Sequence, residues 1–170
     1  MKATRIVLVG LPGAGKSTVG PLVAAALGWE FVDLDDEIVR LAGRTVAEIF
    51  SAEGEAGFRA RERAATEALA NRGPVVLSPG GGWALDPANR VALGEGASVV
   101  YLEVSPMVAA ARMGGAASAR PLLAGGDPRD RLTQLLAQRE AFYLQANHTV
   151  SVDSLAPDQI AALIVALASA

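Results

Sequence analysis

Ile6-Val7-Leu8-Val9-Gly10-Leu11-Pro12-Gly13-Ala14-Gly15-Lys16-Ser17 joins an unbroken apolar run to the pattern G-x-x-x-x-G-K-[ST]. Four consecutive aliphatic residues without polar alternation predict a strand buried on both faces. In the loop that follows, glycines let successive backbone N–H groups turn inward around a polyphosphate. The lysine ammonium then reaches the terminal phosphates, and the serine hydroxyl is a ligand for Mg²⁺. An apolar helix over Val19–Leu27 follows, so the loop stands between a strand and the positive end of a helix, as a phosphate loop requires. These residues imply a nucleoside triphosphate, held by Gly13, Ala14, Gly15, Lys16, Ser17 and Thr18. Apart from Lys16 the chain has one other lysine, Lys2, and every remaining basic side chain is arginine.

The rest of the composition narrows the class. The 170 residues show no composition shift, spacer or repeat, so one domain over 1–170 is expected. Fifteen basic and 18 acidic residues are interspersed, giving a net charge of −3, which argues against a nucleic-acid surface or a polybasic membrane anchor. With no cysteine and the single His148, thiol catalysis and a zinc cluster are excluded. Met1 to Arg5 lead straight into the first strand without a signal-peptide core, and the apolar segments are too short for a bilayer. A cytoplasmic enzyme is expected.

Apolar runs alternate with helical patterns, the signature of a parallel sheet covered on both faces. Strands are expected at Arg5–Val9, Glu30–Asp33, Val75–Ser78, Ser98–Val104 and His148–Val152. Helix starts are marked by Ser105-Pro106, by Asp127-Pro128, and by Thr45 with Glu48 three residues on. Pro21 predicts a local distortion of the first helix, not a break. The tail Ile160–Leu167 reads as a helix docked on the sheet.

Three further groups carry candidate chemistry. Asp33 and Asp35 stand where the second strand gives way to a helix, at the carboxyl edge of the sheet where open α/β folds bind ligands. One carboxylate there can hold Mg²⁺ and the other can accept a hydroxyl proton, although Asp35 and Asp36 also suit plain helix caps. The third strand ends in Ser78-Pro79-Gly80 without an acidic residue, which leaves Asp33 as the metal candidate. Arg59 and Glu62, three apart on a helix, share a face, so the carboxylate can orient the guanidinium; on these letters alone a solvated run of ion pairs is the commoner reading. Gly80-Gly81-Gly82 follows a strand and lets backbone approach a ligand closely, or forms a flexible turn.

In order along the chain, the phosphate loop, Asp33-Leu34-Asp35, Ile49-Phe50 with Glu53-Gly54-Glu55, Phe58-Arg59 with Glu62, Gly80-Gly81-Gly82, Arg120-Pro121-Leu122-Leu123, and Arg139 with Tyr143 resemble the shikimate kinase family. That resemblance implies a nucleoside-monophosphate-kinase-like α/β fold: a five-stranded parallel sheet in order 2-3-1-4-5, with a substrate-binding region at about 34–62 and a lid at about 112–125. It implies transfer of the ATP γ-phosphoryl group to the 3-hydroxyl of shikimate, in the pathway to chorismate and aromatic amino acids. The roles it implies are a carboxylate clamp from Arg59 and Arg139, with Gly80, Gly81 and Gly82 lining the same pocket. Asp35 takes the attacking hydroxyl's proton, Lys16 and Arg120 stabilise the transferred group, and Ser17 and Asp33 hold Mg²⁺. Arg112 stacks on adenine, against a wall near Ser154–Pro157. A monomer acting on small molecules is expected.

The segment Met113 to Ala119 departs from the family in being small and uncharged, which suits a hinge. Trp83 reads either as packing under the substrate loop or as filling a core edge. Tyr143 is expected at the helix surface, and His148 as structural. Two other functions fit the same letters: a kinase-like metabolite sensor without turnover, and a kinase for another polyhydroxy acid such as gluconate.

Overall fold

The computed structural model describes residues 2–114, 123 and 125–170. In chain order the elements are β1 (Arg5–Val9), α1 (Lys16–Leu27), β2 (Glu30–Asp33), α2 (Leu34–Ala42), α3 (Val46–Ala70), β3 (Val75–Ser78), a 3₁₀ turn (Trp83–Leu85), α4 (Pro87–Leu93), β4 (Ala97–Glu103), α5 (Pro106–Met113), α6 (Pro128–Tyr143), β5 (His148–Ser151) and α7 (Pro157–Ser169). The strands form one sheet in the order β2-β3-β1-β4-β5, the order the resemblance implies, and every pairing is parallel.

β1 lies at the centre because it carries no polar side chain after Arg5. Ile6, Val7 and Leu8 are fully buried between β3 and β4. The all-buried β3 on its other side confirms that helices cover both faces of the sheet. α7 packs on α1 and β5, while α3 packs on α2 and α4. Among the described residues no helix is long and apolar enough to cross a membrane.

Most helix starts follow their sequence signals. Ser105 accepts from the Val108 amide and Asp127 from the Arg129 amide, each with proline next in sequence. Thr45 and Glu48 form a reciprocal capping box. β4 begins one residue earlier than expected and ends at Glu103, and β5 ends at Ser151. One more bond, Val152 N to Glu103 O at 2.9 Å, extends their line beyond the assigned strands.

As expected, α1 is not broken at the exposed Pro21. The break falls instead in α3, where Gly54 adopts φ 70°, ψ −175° and divides the helix. Glu53, just before that break, is gripped from both sides: Oε1 accepts from Arg44 at 2.5 Å, while Arg61 binds both oxygens at 2.7 and 2.8 Å. Those arginines, Arg61 foremost, hold the Glu53 carboxyl down at about 2.

Because all five strands are parallel, the loops after β1, β2, β3 and β4 leave the sheet at one edge. That topology alone brings Gly10–Lys16, Asp33–Asp35 and Gly80–Gly82 to the same rim.

Candidate functional site

The phosphate loop is shaped by glycine conformations other residues adopt with strain. Gly10 (φ 146°) turns the chain out of β1 so closely that a Cβ there would meet the Leu102 carbonyl oxygen at 2.6 Å. At Gly13 (φ 83°) a Cβ would lie 2.7 Å from the Ala109 carbonyl oxygen on α5. Gly15, left-handed at φ 97°, caps α1 without a side chain, and no acidic residue stands in the first turn. The opening amides of α1 are therefore available to an anion, and the helix dipole favours one there. Lys16 Nζ donates to the Gly10 and Leu11 carbonyls at 2.7 and 2.8 Å, folding back over the loop. Ser17 and Thr18 on the same turn are exposed.

At the end of β2, Asp33 caps α2, its carboxylate accepting from the Asp36 amide at 3.2 Å. Asp35 lies in the first turn of α2 and faces inward, against Gly80, so the cap is Asp33 and not Asp35 or Asp36, the residues expected to cap. Burial pushes the Asp35 carboxyl above its ordinary range, with the Asp33 and Asp36 charges adding to the rise; Arg59 and Lys16 oppose it. Asp35 therefore sits within electrostatic reach of both the phosphate-loop lysine and the α3 arginine.

The glycine triplet after β3 brings the remaining groups together, one glycine to each. A Cβ on Gly80 would sit 3.2 Å from Asp35 Oδ1. On Gly81 it would collide with Arg139 Nη1, and on Gly82 with the Arg59 guanidinium. Three side chains from α2, α3 and α6 thus converge on three consecutive residues whose missing side chains make the room. Neither a flexible turn nor a solvated ion-pair run describes this arrangement.

Arg59 is held in place. Its Nη1 donates to Glu62 Oε1 at 3.0 Å, its guanidinium lies 5.4 Å above the Phe58 ring centroid, and Glu55 is 3.8 Å away. Glu62 is fully buried, at 0% exposure. Burial raises its carboxyl, and Arg59 works against that rise. Arg139 is 8% exposed. Among the described residues, Asp35 Oδ1, Glu62 Oε2 and Arg139 Nη1 are buried polar atoms without a hydrogen-bond partner. Buried polar atoms are ordinarily paired, so a site offering a guanidinium N–H at Arg139 and a carboxylate oxygen at Asp35 is matched to a small polar ligand that brings both an acceptor and a donor.

Three buried aromatic or polar residues complete the surroundings of the glycine loop. Tyr143, expected at the helix surface, is buried, stacked on Tyr101 with ring centroids 5.1 Å apart, and its hydroxyl donates to the Gly81 carbonyl at 3.4 Å. Burial raises its hydroxyl, and the neighbouring Arg139 opposes the rise. Trp83 packs beneath the glycine loop, 2% exposed, with Nε1 donating to Thr66 Oγ1 at 3.1 Å. Asn89, which carried no sequence signal beyond lying in a capped helix, is 1% exposed and donates from Nδ2 to the Trp83 carbonyl at 3.1 Å.

Arg112 closes α5 and donates to the Val152 carbonyl at 2.5 Å, which sets it beside the loop leading to α7. Asp153 in that loop accepts from the Ser105 amide at 2.8 Å. Arg120, expected in a lid, lies outside the described residues. For a divalent cation, the hydroxyl of Ser17 and the carboxylate of Asp33 supply hard oxygen donors at the rim of the phosphate loop. Mg²⁺ is commonly held by one or two protein oxygens, with phosphates and water completing its shell, so the donor set fits it.

Residues 12–168 match the shikimate kinase family. The chain is 47% identical to the shikimate kinase of Symbiobacterium thermophilum over 144 residues, 84% of this chain and 83% of that protein. Its structure is similar to that of shikimate kinase from Acinetobacter baumannii in complex with shikimate, with a TM-score of 0.87 and 38% identity over 97% of this chain and 92% of the other. A gluconokinase from Sinorhizobium meliloti 1021 shares the fold at a TM-score of 0.58 and 23% identity, over 97% of this chain and 89% of that one.

Proposed function

The chain belongs to the shikimate kinase family, and on that premise we propose that it transfers the ATP γ-phosphoryl group to the 3-hydroxyl of shikimate. The products are shikimate 3-phosphate and ADP, an intermediate step toward chorismate and the aromatic amino acids. The observation that carries this reading is the convergence of Asp35, Arg139 and Arg59 on Gly80, Gly81 and Gly82 beside the phosphate loop.

Shikimate presents a carboxylate at one end of its ring and hydroxyls at the other. Two guanidinium forks grip a carboxylate in a fixed plane, so Arg59 and Arg139 orient the ring and leave its hydroxyls toward Asp35. A carboxylate raised above its ordinary range is a better proton acceptor than a surface aspartate, and Asp35 takes the proton of the attacking hydroxyl. The amides of the phosphate loop and the first turn of α1 cradle the β- and γ-phosphates of ATP, and Lys16 balances the charge spread over the transferred group. Arg120, from the lid, adds a second cation there, and Arg112 lies along the adenine. Ser17 and Asp33 would hold Mg²⁺, which when bound neutralises phosphate charge. No covalent enzyme intermediate is needed, because positioning and electrostatics supply most of the catalysis in phosphoryl transfer. In this reading the protein works as a cytoplasmic monomer.

A coupled ADP-release assay with Mg²⁺ tests the assignment. Turnover with shikimate and little with gluconate is expected. Turnover with gluconate alone would overturn the substrate, and tight nucleotide binding without turnover on either acid would mark a sensor.

A further inference from the structure

We infer that Asn89 and Trp83 are positioning residues for shikimate binding, holding the Glu62 turn of α3, and through it Arg59, against the glycine loop by a chain of buried hydrogen bonds. The inference rests on the shikimate kinase reading above.

The chain can be followed atom by atom. Trp83 comes directly after Gly82, and its amide donates to the Gly80 carbonyl at 3.1 Å, closing the glycine loop on itself. Its indole Nε1 donates to Thr66 Oγ1 at 3.1 Å, and Thr66 Oγ1 donates in turn to the Glu62 carbonyl at 2.7 Å. On the other side the Trp83 carbonyl accepts from Asn89 Nδ2 at 3.1 Å. Thr66 thereby ties the loop to the Glu62 backbone on α3, and Asn89 ties the same loop to α4.

Core filling alone does not account for these side chains. Trp83, Thr66, Asn89 and Glu62 are all 2% exposed or less. A buried indole N–H, hydroxyl or carboxamide is costly unless bonded, and an aliphatic side chain would fill the same space without that cost. What the polar set adds is direction. Glu62 presents Oε1 to Arg59 at 3.0 Å, and that guanidinium lies where a Cβ on Gly82 would be. If the loop moved on α3, the gap between Gly82 and Arg59 would change, and with it the fork that receives the substrate carboxylate.

The carboxylate end of shikimate is remote from the hydroxyl that reacts. Loosening Arg59 weakens ground state and transition state equally, which raises KM and leaves kcat. Two variants test this: Asn89→Ala, which removes the amide, and Trp83→Phe, which keeps an aromatic ring and removes the indole N–H. Each should raise the KM for shikimate by about five- to tenfold, the loss of one hydrogen bond at the upper end of the usual range. kcat and the KM for ATP should stay within about twofold of the unsubstituted protein. Thermal melts run alongside separate folding from binding. Wild-type KM values in both variants, whatever the melting temperatures, overturn the inference, and so does failure of both to fold, which would make the pair purely structural. Absence of shikimate turnover by the unsubstituted protein would instead overturn the shikimate kinase reading itself.

Discussion

Gly82→Ala tests the Arg59 fork with a single methyl group. Gly82 has φ −83° and ψ −10°, a conformation alanine adopts without strain. Replacing glycine at such a position stabilises the fold by about 0.4–1 kcal/mol, because the unfolded chain loses freedom. For a chain of this length that gain is worth roughly 1–4 °C of melting temperature, but it is opposed by the larger cost of leaving the fully buried Glu62 without its guanidinium, so the net melting temperature should fall. The methyl would overlap the Arg59 guanidinium, the far end of a flexible side chain, so the arginine moves and the backbone does not. Moving it breaks the 3.0 Å bond to Glu62 and withdraws one fork from the substrate carboxylate. A charge-assisted hydrogen bond contributes about 1.5–3 kcal/mol, which is a roughly 10- to 150-fold rise in the KM for shikimate. Steady-state kinetics with each substrate varied in turn, beside a thermal melt, give both numbers. A KM for shikimate within about twofold of wild type would refute the reasoning, because the Gly82–Arg59 approach would then have no part in binding.

Asp35→Asn should cut kcat about 10²–10³-fold by removing the proton acceptor, while leaving stability at pH 7 equal or higher. The sign follows from its raised carboxyl. The stability contributed by protonated Asp35 is fully present below its ordinary value of 3.8 and is lost as pH rises through the higher folded value, so the ionised form is a cost at pH 7. Melts of both proteins at pH 7 check this, and a large loss of stability in the variant would contradict it. Gly54→Ala forces an L-residue into φ 70°, ψ −175°, so stability should fall by about 1–3 kcal/mol. A melting temperature unchanged from wild type would count against the kink. Glu53 is depressed to about 2 by Arg61 and Arg44, so its contribution is present above its ordinary 4.5 and lost as pH falls toward 2. Glu53→Gln should therefore show a shallower acid loss of melting temperature than wild type, and parallel pH curves would exclude the clamp.

The sheet was legible because its signals are local. The unbroken aliphatic run of β1, the capping residues before α3, α5 and α6, and the glycines of the phosphate loop each fix backbone within a few residues of themselves. The convergence of Asp35, Arg59 and Arg139 was legible only through family resemblance, since contacts between α2, α3 and α6 leave no periodic trace in sequence. Resemblance could not reach groups whose role depends on depth. Nothing in the letters around Tyr143 or Asn89 distinguishes a buried polar group from an exposed one, because the difference is made by elements packed over them from elsewhere in the chain. The break at Gly54 escaped for a related reason: a glycine within a helical pattern is tolerated as often as it breaks the helix. The arginines clamped onto Glu53 mark it only once the chain has folded.

The central claim is that both substrates meet at one rim, with the acid held by two arginines against three glycines. A crystal structure of the protein with ADP and shikimate tests it most directly. The account predicts the shikimate carboxylate between Arg59 and Arg139, the ring over Gly80–Gly82, the 3-hydroxyl within hydrogen-bonding distance of Asp35, and the ADP phosphates on the amides of Gly13–Ser17. Shikimate bound away from Arg59 and Arg139, or lying with its carboxylate toward Asp35, would contradict it.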